Sequence, residues 1–498
     1  MKYYICTTLL ILLNFYGLKS YPGPSYDNNQ NIRLAHQYLF ALRPISAEKL
    51  LKTEELKNPG NGYVTFYRLY SNVITLMISN SPSEYSKKAD DINQYVDDLK
   101  NLPDNSPDYR LLLGEAKVLA GLLKIKYDGK ISGLISCLKG YNLLEENAAR
   151  YPTYEQNKKI PGMIQVSVAF MPRILQWGIK LLGIKGDSQA GLKKLSEYSA
   201  FSKGRTGYEE EAFVFTMAAY KIMNQEDQLT SMISEKMDQF KDIALVNYIA
   251  ATTTYDANEG ELTLKLISNI LPSKFEVPFP ALNYLKGKTK MLRLDQDANL
   301  PLIDYLKEAP GTDYLKTTIY DLACFSYISG NIQLYHDYLN EVKSKGRELH
   351  NRDIEAAFEA SKTELPNRIL LSADYLVRGG YYEKAEHELG LGSENSFSDE
   401  KEKVQFYYLK AECKRLQKLV SEAESLYLRA FETGKSSGDY IAQKGLVQAG
   451  MMMEKNGSKA MAGKYYHLCL NFKAIANPYS DLFTNKARAG LIRLALTE

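Results

Sequence analysis

The sequence predicts an all-α chain folded as a superhelix of stacked helix hairpins, and three observations carry that prediction. First, Ala385, Ala423 and Ala462 stand 38 and 39 residues apart. Each follows a small residue twelve positions earlier (Ala373, Ala411, Gly450) and precedes a large one four positions later (Leu389, Tyr427, Tyr466). Second, apolar residues recur at three- and four-residue steps, Pro, Gly and Asn clusters punctuate them, and no run alternates as a strand does. Third, 498 residues exceed what one compact core holds. A solenoid escapes that limit because each hairpin buries its faces only on its neighbours. The small residues have a steric reason: where two antiparallel helices cross closely, only Gly, Ala or Ser fits between the backbones.

Residues 1–20 read as a signal peptide. Lys2 precedes an apolar run over residues 5–16, then Gly17 and Ser20, too short to span a bilayer. Cys6 stands too early in that run to be a lipidated cysteine. The expectation is export, with the chain in the periplasm or elsewhere in the cell envelope. Four cysteines follow, Cys137, Cys324, Cys413 and Cys469, with no closely spaced pair. An even count in an exported chain permits disulfides, but Cys413 and Cys469 fall within the helical pattern, so free buried thiols are expected.

Residues 21–200 read as a degenerate helical-repeat region. A first helix over 31–42 is stopped by Pro44, and Ser46 is the expected cap of the next. The turn cluster at 58–62 precedes a helix over 63–78. Ser106-Pro107-Asp108 opens a helix reaching Lys126, Asp128-Gly129 ends it, and 131–147 pairs with it. The apolar stretch 161–195 is interrupted by Pro172, Arg173 and Lys180 and reads as a buried hairpin of two helices. The alternative, an interfacial helix, leaves open a peripheral association with a membrane. Gly186 is expected to make a turn and Asp187 to cap the helix that follows.

Residues 201–345 read as further degenerate hairpins. Helices over 208–223 and 228–240 pair, as do 243–255 and 261–270. A Pro-rich break at 272–280 follows, then 314–329 with 332–343, joined by the Ser329-Gly330-Asn331 turn. There Ala323 holds the small position, but Tyr335 stands where Ala is expected. Residues 346–498 hold the three clear repeats.

Composition and motifs narrow the function. A net charge of +3 and a pI near 8.2 lack the concentrated basic character of a nucleic-acid binder. The five histidines are scattered (His36, His336, His350, His387, His467), and neither HExxH nor CxxC occurs, so no metal site is expected. No GxSxG, P-loop or GxGxxG pattern occurs, so neither a cofactor nor a catalytic residue is expected; Gly390-Leu391-Gly392 reads as a helix end. Glu209, Glu210 and Glu211 read as acids favouring the positive N-terminus of their helix. Lys180, Lys185, Lys193, Lys194, Lys203 and Arg205 read as a solvated face. Carboxylates for glycoside hydrolysis abound, Asp90, Asp91, Glu145 and Glu146 among them, but nothing singles out a pair. The 38 tyrosines suit helix packing, with the ring buried and the hydroxyl at a wet edge.

Tyr407, Ala411, Ala423, Tyr427 and Ala430, then Leu446, Ala449, Gly450, Ala462, Tyr466 and Cys469, resemble the tetratricopeptide repeat (TPR) in type and phase. Ile369, Ala373, Leu376 and Ala385 form a weaker copy. The spacing exceeds the usual length of about 34 residues and the closing proline is missing, which implies longer loops or helices. Over about residues 47–195 the order NPGNGY, SPDY, YNLLEENAARYP and MPRILQWGIKLLGIKGDSQAGLKKL resembles exported TPR proteins of Bacteroidetes. It is more distantly similar to the tetratricopeptide-repeat 39 family, which includes a fungal inclusion-body clearance protein. The resemblance implies an all-α, TPR-like helical-hairpin solenoid and no reaction.

The expectation is therefore a non-enzymatic scaffold that binds a protein or peptide partner in its concave groove. A glycan- or nutrient-binding protein of the SusD type at the outer membrane is the alternative. The single Trp and the missing lipidation cysteine weigh against it. A helical enzyme is a third class. In the TPR pattern the first helix of each unit lines the groove. By position, that nominates Asn367, Asp374, Arg378, Tyr408, Glu412, Arg415, Lys444 and Met451. Arg378 and Arg415 are candidates to clamp a carboxylate and Tyr408 to stack.

Overall fold

The structure, a computed structural model, describes residues 25–171, 183–223, 225–309, 311, 313–348, 351–392, 396–397, 399–475 and 477–496. The expected signal peptide, Cys6, Pro172, Arg173, Lys180 and His350 lie outside the described residues. Among the described residues the chain is helical throughout, with no strand beyond an isolated bridge between Ser25 and Asn61.

Six helices open the array: α1 (Gln30–Phe40), α2 (Pro44–Lys57), α3 (Gly62–Ser79), α4 (Pro82–Lys100), α5 (Pro107–Tyr127) and α6 (Lys130–Arg150). Their starts are written locally. Asn29, Asn61, Ser81 and Ser106 each accept a bond from a first-turn amide, and Pro44, Pro82 and Pro107 occupy a first turn where no N–H is needed. Ser46 is not the cap of α2. It lies inside the helix behind Pro44, and its free amide is satisfied by Glu276, 230 residues away, at 2.8 Å. Helix α4 carries little periodic signal in the sequence because its buried seam is only Tyr85, Ile92 and Leu99, one residue every two turns.

The tightest crossing is between α5 and α6. A Cβ built at Gly114 would stand 3.0 Å from the Gly140 carbonyl oxygen, and one at Gly121 2.7 Å from that of Gly133. Two seven-residue glycine spacings run antiparallel, so the backbones themselves are in contact. Helices α7 (Lys159–Ala169) and α8 (Ser188–Ser202) repeat the device: a Cβ at Gly191 would lie 2.6 Å from the Gly162 oxygen. Asp187 caps α8 through the Ala190 amide at 2.9 Å, as expected. Gly186 is not the turn residue; the positive φ of 86° falls at Gly183. Gly186 is glycine because a Cβ there would meet the backbone of Ala169.

The middle of the array comprises α9 (Tyr208–Ile222), α10 (Glu226–Lys236), α11 (Ala244–Asp256), α12 (Gly260–Ser268), α13 (Pro280–Arg293), α14 (Asn299–Glu308), α15 (Leu315–Ile328), α16 (Ile332–Ser344) and α17 (Asn351–Ser361). Tyr335 of α16 is buried, as its place at the expected Ala position requires. The N-terminus of α15 is capped from outside: buried Asp353 of α17 accepts from the amides of Tyr314 (2.8 Å) and Thr317 (3.0 Å).

The last seven helices are α18 (Arg368–Arg378), α19 (Tyr382–Gly390), α20 (Glu400–Leu416), α21 (Val420–Gly434), α22 (Tyr440–Lys455), α23 (Lys459–Asn471) and α24 (Ser480–Leu496). Ala385, Ala423, Ala462, Ala373 and Ala411 are all fully buried. At Gly450 a Cβ would come within 2.6 Å of the Tyr466 ring. The tyrosines pack by their rings as expected, but many hydroxyls do not end in water. Tyr427 donates to buried Glu412, Tyr198 to buried Glu211 (2.6 Å) and Tyr375 to buried Asp321 (2.9 Å). Cys324, Cys413 and Cys469 are buried free thiols, and Cys137 is free and half-buried. No helix among the described residues is long and apolar enough to cross a membrane. The array curves far enough for Lys455, at the end of α22, to pair with Asp227 of α10 at 2.8 Å, 228 residues earlier.

Two glycines test the packing account. Gly450→Ala destabilises by about 1–3 kcal/mol, because the methyl meets an aromatic ring that is itself fully enclosed. Gly463→Ala, in α23 with no atom nearer than 3.8 Å to the new methyl, stabilises by about 0.5–1 kcal/mol through helix propensity. Urea unfolding midpoints read both.

Candidate binding cleft

Helices α18, α20 and α22 are the first helices of the clear repeats, and six of the eight nominated residues meet along them. The Lys444 ammonium stands 4.5 Å from the centroid of the Tyr408 ring. Tyr408 is buried and feels the charges of Glu412, Asp374 and Arg415. Glu412 is held by Arg415 at 2.7 Å and by the Tyr427 hydroxyl. Arg378 lies beside this group, 43% exposed, paired with Asp374 at 3.4 Å and covering the Tyr375 ring at 4.6 Å. Two nominees do not join. Asn367 caps α18 through the amides of Ile369 and Leu370 and donates to Glu402 at 3.2 Å. Met451 is half-buried and packs against the C-terminal core.

The carboxylate clamp expected from Arg378 and Arg415 is already filled from within, since each arginine is engaged by an acid on its own helix. Burial pushes the Glu412 carboxyl up, but Arg415 and the Tyr427 hydroxyl outweigh it and hold the pKa below the ordinary range. Of the cations gathered here, Arg378 and Arg415 are paired, whereas Lys444 and Lys486 make no ion pair among the described residues. Lys486, on α24, is solvent-exposed, yet surrounding protein lowers its pKa, as does Lys444, while Glu226, Glu412 and Glu355 raise it. The charges that reach Lys486 stand on α10, α17, α20 and α22, so these helices converge with α24 on one face. Glu226 on α10 and Glu355 on α17 face the same space, both with pKa values raised by partial loss of water and both in the field of cleft cations.

Sequence reasoning missed Lys486, Glu226 and Glu355. Lys486 lies past the last phased alanine, and the two acids come from helices 90 to 260 residues away, so the only signal was the repeat phase and it stopped short of all three.

A second charged cluster was misread. Glu209–Glu211 do open α9, but the expectation of acids simply favouring a helix end holds only in part. Glu210 accepts from the Gly207 amide (2.8 Å) and from Gln37 (2.6 Å). Glu211 is 2% exposed and bonds Lys159 at 2.7 Å, which also holds Glu115 at 3.0 Å; Tyr198 and Tyr70 donate to Glu211, and His36 stands 3.9 Å away. Burial brings the His36 ring down to about 4 and pushes the Glu115 carboxyl up to about 7, against the pull of Lys159. All four groups are enclosed, so the cluster joins α1, α5, α7 and α9 rather than receiving a ligand.

Of the acids considered for hydrolysis, Asp90 and Asp91 are exposed, Glu145 pairs with Lys194 and Glu146 with Arg110. Among the described residues no group of three or more metal-ligating side chains is placed to hold an ion. No protein-family model matches this chain, and no curated protein matches it.

The two buried acids respond to pH with opposite sign. Glu412, with its pKa depressed, stabilises the fold above its unfolded pKa and loses that effect as pH falls through the folded value. Glu412→Gln therefore costs about 1–3 kcal/mol at pH 7, and the gap to wild type narrows in acid. Glu115 ionises near 4.5 when unfolded and near 7 when folded. Its ionisation opposes folding across that window, so Glu115→Gln gains stability relative to wild type between pH 5 and pH 8. Chemical unfolding at a series of pH values separates the two slopes.

Proposed function

We propose that this chain is a non-enzymatic scaffold of TPR-like build that binds a protein or peptide segment in the cleft of α18, α20, α22 and α24. The carrying observation is the pair Lys444 and Lys486: both reach solvent, neither makes an ion pair among the described residues, Lys444 covers the buried Tyr408 ring, and Lys486 lies in the field of Lys444. A repeat array presents such a surface along its inner side because each hairpin contributes its first helix to it. Partner carboxylates meet the two lysines, and the Asp374–Arg378 and Glu412–Arg415 pairs fix register by rejecting misplaced charge. The amino-terminal apolar run supports export, so the partner belongs in the cell envelope.

The test is a pull-down from an envelope fraction with wild type and a Lys444→Glu/Lys486→Glu variant. Both side chains reach solvent, so the thermal midpoint of the variant stays within about 2 °C of wild type. The reading requires at least one discrete partner whose recovery falls roughly tenfold or more in the variant. A variant that retains every partner of the wild type overturns it.

A further inference from the structure

A separate cavity of about 380 Å³ opens where α3, α5, α9, α11, α13 and α17 meet, within the size range of small-molecule pockets. Its walls combine tyrosine rings with cations. Tyr284 stacks on Tyr314 with centroids 5.0 Å apart and lies 5.3 Å from Tyr305. Arg352 covers the Tyr255 ring at 5.2 Å.

The charges in the cavity do not cancel. Three cations, Lys126, Lys221 and Arg352, face two carboxylates, Asp256 and Asp313. Asp256 is shared, taking Lys221 at 2.6 Å and Arg352 at 2.9 Å. Lys126 makes no ion pair among the described residues, and loss of water lowers its pKa although Asp313 opposes this.

The second observation is a buried polar atom with nothing to bond. Tyr284 is 7% exposed, lines the cavity, and its hydroxyl makes no hydrogen bond. The Arg352 guanidinium lies at the edge of hydrogen-bonding reach of this oxygen without making a well-aligned bond to it. A buried hydroxyl left unpaired costs free energy, which a ligand atom placed there recovers.

We propose that this cavity binds a monoanionic ligand bearing a carboxylate on an aromatic or other apolar body. The carboxylate takes the Tyr284 hydroxyl, the free donors of Arg352 and the Lys126 ammonium, and the body lies against the tyrosine wall. A single carboxylate fits better than a phosphate. Lys126 and Lys221 sit in the last turns of their helices, whose carbonyl ends offset part of the cationic field. A free aromatic acid and the C-terminal residue of a peptide share this chemistry. None of the cleft residues named above lines this cavity, and the two proposals are tested separately.

Calorimetric titration of the full chain tests the proposal with N-acetyl-phenylalanine, its amide, a hexapeptide ending in Phe, the same peptide amidated, and inorganic phosphate. N-acetyl-phenylalanine binds, and its amide binds at least tenfold more weakly. Tyr284→Phe weakens the acid roughly tenfold and leaves the thermal midpoint nearly unchanged, because the hydroxyl it removes makes no well-aligned hydrogen bond in the free protein. Lys126→Gln, at an exposed side chain, weakens it severalfold and decides the matter should Tyr284→Phe perturb folding. Binding of the free-acid hexapeptide assigns the site to a peptide C-terminus, and binding of N-acetyl-phenylalanine alone assigns it to a small free acid. No binding of either acid overturns the proposal. So does equal binding of acid and amide, phosphate bound more tightly than the acids, or full affinity in the folded variants.

Discussion

Backbone-to-backbone contact between antiparallel helices is the constraint on which the rest of this structure depends. At the α5–α6 crossing a Cβ on Gly133 would stand 2.5 Å from the Gly121 carbonyl oxygen, and nothing larger than hydrogen fits. In the last third of the chain the same role passes to buried alanines, with large residues filling the wedge above each one. Fixing each hairpin at one spacing makes the hairpins stackable. Stacking repeated units with a small rotation gives curvature, and curvature brings Lys455 back to Asp227 and sets Glu226 opposite the repeat helices.

Polar chemistry then distributes itself by what the packing leaves. Where the array is closed, charge must be paired internally, as in the Glu115–Lys159–Glu211 group and in Lys288 with Asp321. Such buried pairs are weak contributors to stability, but losing one partner strands the other, so they bind remote helices to one arrangement. Along the cleft the rule relaxes: Lys444 and Lys486 reach solvent and make no ion pair among the described residues. The tyrosines serve both regimes, since the ring supplies apolar area and the hydroxyl ends on an acid from another helix.

Local signals made much of the fold legible. Caps such as Asn29, Ser106 and Asp187 and the first-turn prolines mark where helices begin, and the phased alanines give their pairing in the final third. Failures occurred where the determining partner is distant. Ser46 looked like a cap because Glu276, which serves its amide, lies 230 residues on. Glu211 looked like an ordinary first-turn acid because Lys159 is invisible to local pattern. Helix α4 escaped because three buried residues in nineteen carry almost no periodic signal. Within the cleft, repeat phase located Asp374, Tyr408, Glu412, Arg415 and Lys444. It did not reveal that the arginines are already occupied, which is a property of side-chain reach.

The central claim is that the inner side of the curved array, and not its outer side, meets the partner. Site-specific photocrosslinking reads this directly, with a photoreactive phenylalanine placed at position 444 in the cleft or at position 432, an exposed site on α21. The account predicts a discrete adduct with the same partner from position 444 and none from position 432. Adducts of equal yield from both positions, or from position 432 alone, would contradict it.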